Sequence, residues 1–130
     1  MKYLIGLLIV AALIYGGKLY LKKPAETKPT APMTTDETGV KTINVTGANF
    51  RFNPKTITVK KGDRVKIVLK SEDMQHDFVI DELGAKTAVA VAGETVETEF
   101  AADKAGQFEY YCSVGNHRSQ GMVGTLTVTE

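Results

Sequence analysis

The chain of 130 residues carries 16 Lys or Arg against 15 Asp or Glu, a formal charge of +1, so it is neither strongly basic nor strongly acidic. From residue 40 onward, eight Lys and three Arg stand against twelve Asp or Glu, which argues against a basic nucleic-acid-binding face. The single cysteine, Cys112, excludes a disulfide within the chain and leaves one thiol to be explained.

Tyr3 to Gly17 form an uncharged, largely apolar run between Met1-Lys2 and Lys18. A basic start followed by a short apolar stretch has the shape of a secretory signal. A membrane-spanning helix needs about 20 apolar residues, with about 17 as the lower bound. Lys18 can snorkel and extend the run to Leu21. Val10-Ala11-Ala12 offers small residues for cleavage, although cutting there leaves a short apolar core. Residues 1–23 are therefore expected to be an apolar helix, preferably an uncleaved membrane anchor and otherwise a cleaved signal. Residues 24–39 hold three of the four prolines and five threonines, too few apolar side chains to offset ordering entropy, and predict a flexible linker.

Residues 40–130 read as an all-β domain of about 90 residues, enough for a modest core. Ile43 and Val45 alternate with polar neighbours, as do Phe50 and Phe52, Ile57 and Val59, and Val65, Ile67 and Leu69. The pattern returns at Phe78 and Ile80, at Val96, Thr98 and Phe100, at Phe108, Tyr110 and Cys112, and at Leu126 and Val128. Period two marks strands with one buried face. Turn signals separate them at Thr46-Gly47, Asn53-Pro54, Lys61-Gly62-Asp63, Leu83-Gly84, Ala92-Gly93 and Ala105-Gly106. Seven or eight short strands with this spacing predict a β-sandwich or barrel.

The chemistry is concentrated in the last strand pair. Cys112 ends a strand, His117 follows after four residues and Met122 after four more, so one loop carries a thiolate, an imidazole and a thioether. The chain's other histidine, His76, lies at a strand edge more than thirty residues earlier, where a sandwich can bring it beside that loop. Taken singly, each residue reads as an ordinary core or surface side chain. Together, two imidazoles, one thiolate and a weak thioether are the ligand set of a blue-copper electron-transfer site. The sulfur donors stabilise Cu(I) and the imidazoles suit Cu(II).

Over residues 40–130 the sequence resembles the cupredoxin family, at His76-Asp-Phe78, Tyr110-Tyr-Cys112-Ser, His117 and Gly121-Met-Val-Gly124. The spacing of Cys112 and His117 is similar to that of azurins, auracyanins and rusticyanins and longer than that of plastocyanins. The resemblance implies a Greek-key β-sandwich with one copper ion at one end, held by His76, Cys112, His117 and Met122. It implies that His76 is buried and that His117 is the partly exposed ligand through which electrons pass. Many cupredoxins carry Asn immediately after the first histidine ligand. Here Asp77 stands there, and its backbone N–H remains available to the sulfur. Ser113 follows the cysteine and is placed to hold Asp77 or its loop. The loop lacks the second cysteine that a dinuclear copper centre requires.

These residues predict a one-electron carrier, exported from the cytoplasm, that docks transiently with redox partner proteins. Two histidines, both assigned, are too few for a copper enzyme with a second metal centre, so no enzyme activity is expected. The alternative is a copper-binding or delivery protein. Such proteins display exchangeable donors, and Met33 and Met74 do not cluster in sequence.

Overall fold

Alternation of apolar and polar side chains produces ten strands in residues 31–130, the part that the computed structural model describes. They are β1 (Met33–Thr35), β2 (Val40–Ala48), β3 (Arg51–Asn53), β4 (Thr56–Lys60), β5 (Arg64–Ser71), β6 (Val79–Ile80), β7 (Ala85–Lys86), β8 (Thr95–Ala101), β9 (Gly106–Tyr111) and β10 (Val123–Thr129). The expected apolar helix at 1–23 and the linker's first residues lie outside the described residues. Among the described residues no helix is long and apolar enough to cross a membrane.

The strands form two sheets. One has the order β1-β2-β5-β8, with β3 also on β2, and the other the order β4-β10-β9-β6-β7. Most pairs are antiparallel, but β2 with β5 and β4 with β10 are parallel. Both parallel pairs arise because the chain changes sheet between them rather than turning back on itself. The all-β sandwich expected from the sequence is thus present.

Facing side chains fill the space between the sheets. Ile43, Val45, Val65, Ile67 and Leu69 on one side meet Ile57, Val59, Leu126 and Val128 on the other, each at most 2% exposed. Burial of each such side chain contributes about 1.5–3 kcal/mol. Phe52, Phe78 and Tyr110 close the core toward one end, with Phe78 and Tyr110 stacked at 4.8 Å between ring centroids. The Tyr110 hydroxyl reaches across to donate to the Pro54 carbonyl at 2.7 Å, so its polar end is satisfied.

Two expectations are corrected. Part of the linker expected at 24–39 is ordered: Met33–Thr35 pairs antiparallel with Thr42 and its neighbours, although all three strand residues are exposed. The backbone ladder, which composition does not report, holds this edge strand. Thr46-Gly47 is not a turn but lies inside β2; the chain reverses at Asn49-Phe50. Gly47 sits in the strand where side chains are packed closely over it, as described below.

Candidate metal centre

Strand pairing alone brings the loop residues together. β9 and β10 are antiparallel, with Tyr111 opposite Val123, so Cys112 and Met122 face each other one step beyond the paired ends. The Cys112 N–H donates to the Met122 carbonyl at 3.2 Å. Between them the chain folds into tight turns, and the His117 carbonyl accepts from the Met122 N–H at 3.0 Å. The loop is therefore a hydrogen-bonded scaffold that returns His117 over the strand ends.

His76 arrives from the other side of β9. Val79 of β6 is paired with Tyr111, and the same antiparallel register carries Asp77 to Ser113. The Asp77 carboxylate, fully buried, accepts from the Ser113 N–H at 2.6 Å and from the Ser113 hydroxyl. The sequence expectation that Ser113 holds Asp77 matches this contact. His76 itself exchanges backbone hydrogen bonds with Ala90, at 3.0 and 2.8 Å.

His76 Nδ1 lies 3.9 Å and His117 Nδ1 3.5 Å from Cys112 Sγ, and one donor atom from each residue falls within 4.8 Å of the others. An ion about 2.3 Å from a sulfur and about 2.0 Å from a nitrogen separates the two donors by roughly 3.5–3.7 Å at trigonal or tetrahedral angles. The three donors fit a shared ion with little movement. Met122 is fully buried beside them. A Cβ built on Gly47 would stand 3.1 Å from the Met122 Cε and 3.2 Å from the His76 ring, so thioether and imidazole crowd the same face of that glycine.

The electrostatics suit metal binding. Burial pushes the Cys112 thiol up from its ordinary value, while the backbone N–H groups of Asp77 and Val114 favour the thiolate. A cation held by these residues would favour the thiolate and so offset the burial cost. Burial, reinforced by the nearby His76, moves the His117 imidazole down, which favours the neutral form that a metal needs. His76 and Cys112 are fully buried and His117 is 9% exposed, so His117 is the less buried imidazole, with only slight solvent contact.

Three residues near the cluster were not recognised as part of it from the sequence. Asp73 accepts from His76 Nε2 at 2.7 Å, and its position three residues before a candidate ligand is the signal that could have found it. Gly47 reads as turn punctuation. Phe50 reads as a strand residue, yet it turns the β2–β3 hairpin and stands edge-on to His117 with 5.1 Å between ring centroids.

A two-sheet β-sandwich with a buried His, His and Cys cluster at one end defines a small metal-protein class. The chain belongs to the cupredoxin-like family, matching the family model for the cupredoxin-like domain over residues 7–128. It is 36% identical over 91 residues to a plastocyanin of Nostoc punctiforme, covering 59% of this chain and 63% of that protein. It is 30% identical over 99 residues to the copper-resistant cuproprotein CopI of Rubrivivax gelatinosus, covering 61% of this chain and 60% of that protein. The chain thus spans about three fifths of the length of these two relatives. Auracyanin A of Chloroflexus aurantiacus, described as a "blue" copper protein, superposes with a TM-score of 0.63 at 26% identity, over 70% of this chain and 100% of that structure.

Proposed function

We propose that His76, Cys112, His117 and Met122 hold one copper ion and that the domain is a one-electron carrier outside the cytoplasm. The observation that carries this reading is the convergence of two imidazole nitrogens on one buried sulfur, within 4.8 Å of one another. Copper bound there supplies a Cu(I)/Cu(II) couple. The residues supply a rigid cage: two N–H groups toward the sulfur, a main-chain lock between Cys112 and Met122, and a dry surround. Rigidity of this kind keeps rearrangement small when an electron arrives or leaves. His117, the least buried of the four, marks the surface against which redox partner proteins dock. Likeness to the plastocyanin and to auracyanin A supports the carrier reading. The apolar segment at residues 1–23 is read as the exporting anchor or signal.

The test is the absorption and spin-resonance spectrum of the copper-loaded chain, beside that of Cys112→Ser. The parent is expected to show an intense thiolate-to-copper band that the variant lacks while its β-sheet circular dichroism persists. Colour surviving in the variant would show that the sulfur is not a ligand.

A copper-holding or delivery role is the second reading, favoured by the likeness to CopI. Slow loss of copper to a chelator with a reversible voltammetric wave supports the carrier; rapid loss without a wave supports delivery. Burial of all four side chains, at 0–9% exposure, favours slow loss.

A further inference from the structure

Asp73 lies in the segment between β5 and β6 and uses both carboxylate oxygens at the cluster's edge. Oδ1 is 2.7 Å from His76 Nε2 and also accepts from the Met74 N–H at 2.8 Å. Oδ2 accepts from the Asn49 N–H at 2.7 Å. Asn49 and Phe50 are the two loop residues of the β2–β3 hairpin, and both have positive φ, 49° and 57°. Such a type I′ turn ordinarily takes Asn-Gly, because a bulky residue at positive φ is strained. Phe50 occupies the strained position with its ring edge-on to His117.

We infer that Asp73 is a positioning residue for both imidazoles, holding His76 directly and His117 through the Asn49–Phe50 turn. The inference rests on the copper reading above for its consequence, but its geometry belongs to the protein alone. An ionised carboxylate only accepts, so His76 Nε2 carries a proton, and the neutral ring then presents the Nδ1 lone pair toward Cys112 Sγ. A neutral acceptor would select the same tautomer. The carboxylate also brings a negative charge one ring away from the ion, raises the basicity of the imidazole and favours Cu(II) over Cu(I). Its other oxygen anchors the strained turn that keeps Phe50 against the second imidazole.

The experiment compares the full chain with Asp73→Ala and Asp73→Asn. In the metal-free protein, long-range proton–nitrogen NMR is expected to show His76 as a single Nε2–H tautomer in the parent and a mixture in Asp73→Ala. Asp73→Asn keeps one acceptor oxygen, which the His76 Nε2–H and Met74 N–H together favour, and so is expected to restore the single tautomer, while its NH2 faces the Asn49 N–H and weakens the anchor of the turn. With copper, Asp73→Ala is expected to lose 10- to 100-fold in Cu(I) affinity by chelator competition, on the scale of lost outer-sphere partners. The midpoint potential is expected to rise in both variants, because both lose the charge. An unchanged tautomer and affinity in Asp73→Ala would overturn the inference. If that variant does not fold, an unchanged potential in Asp73→Asn overturns it instead. A parent chain without a thiolate–copper band would refute the copper reading, while the metal-free tautomer would still decide whether Asp73 holds His76.

Discussion

Met122 shows how one side chain can serve packing and chemistry together. It is fully buried, its main chain is bonded to both Cys112 and His117, and its methyl lies over Gly47. Leucine matches its volume, so Met122→Leu is expected to cost less than about 1.5 kcal/mol of stability. The thioether is a weak donor to Cu(II), and its removal is expected to raise the midpoint potential while copper stays bound. Voltammetry checks this, and an unmoved potential would show that Met122 is not an axial ligand. His117 illustrates a different balance. Burial, and then His76, favour its neutral form, and the Phe50 ring packs at a T-shaped angle to it. Arg118, the next residue, turns outward instead, lying 3.8 Å over the Tyr111 ring and bonding Glu109.

At the scale of strands, register decides which residues meet. In the β9–β10 pair, Gly124 stands opposite Tyr110, and a Cβ at Gly124 would fall 2.1 Å from the tyrosine ring. The glycine leaves room for an aromatic ring that also stacks on Phe78. Gly124→Ala must displace that ring, and overpacking of this kind is expected to cost about 1–3 kcal/mol in chemical denaturation. An unchanged denaturation midpoint would mean that the ring has somewhere else to go. The β4–β5 turn provides an electrostatic counterpart. Asp63 accepts from the Lys60 N–H at 2.8 Å and pairs with Lys41 at 2.6 Å. Burial alone would lift its carboxyl, but the Lys41 ammonium and the Lys60 N–H outweigh burial and hold it below the usual carboxylate range. A folded-state pKa depressed in this way contributes stability above the unfolded value of about 3.9 and loses it as pH falls through the folded value. Asp63→Asn is therefore expected to be less stable than the parent at neutral pH. The gap should close in acid, below the unfolded pKa. A gap independent of pH would exclude the ionised carboxylate as its source.

At the scale of the domain, the sandwich core extends well beyond the candidate ligands at its end. Ile43, Ile57, Ile67, Leu69 and Leu126 pack between the sheets, and Cys112 and Met122 extend the same core toward the cluster, so most of the buried apolar surface lies away from the candidate ligands. Removing copper with a chelator is therefore expected to leave a cooperatively folded β protein with a lower Tm. An ion that binds only the folded state adds about 4 kcal/mol when free copper exceeds Kd by 1,000-fold. For a domain of about 100 residues that corresponds to well over 10 °C. Calorimetry with and without chelator measures the difference. Loss of the cooperative transition on chelation would mean that the metal, not the core, holds the fold.

The period-two alternation made most of the strands legible, because a half-buried strand must place apolar residues on one face. The spacing of Cys112, His117 and Met122 made the cluster legible, because one short loop confines all three. The sequence could not show that Met33–Thr35 is a strand, since exposed threonines paired only through the backbone carry no hydrophobic signal. Nor could it show that Gly47 is a clearance, that Phe50 turns a hairpin, or that Asp73 reaches His76. These depend on which strands become neighbours. Alternation reports the face that a residue occupies, whereas only the tertiary structure decides what lies across from it.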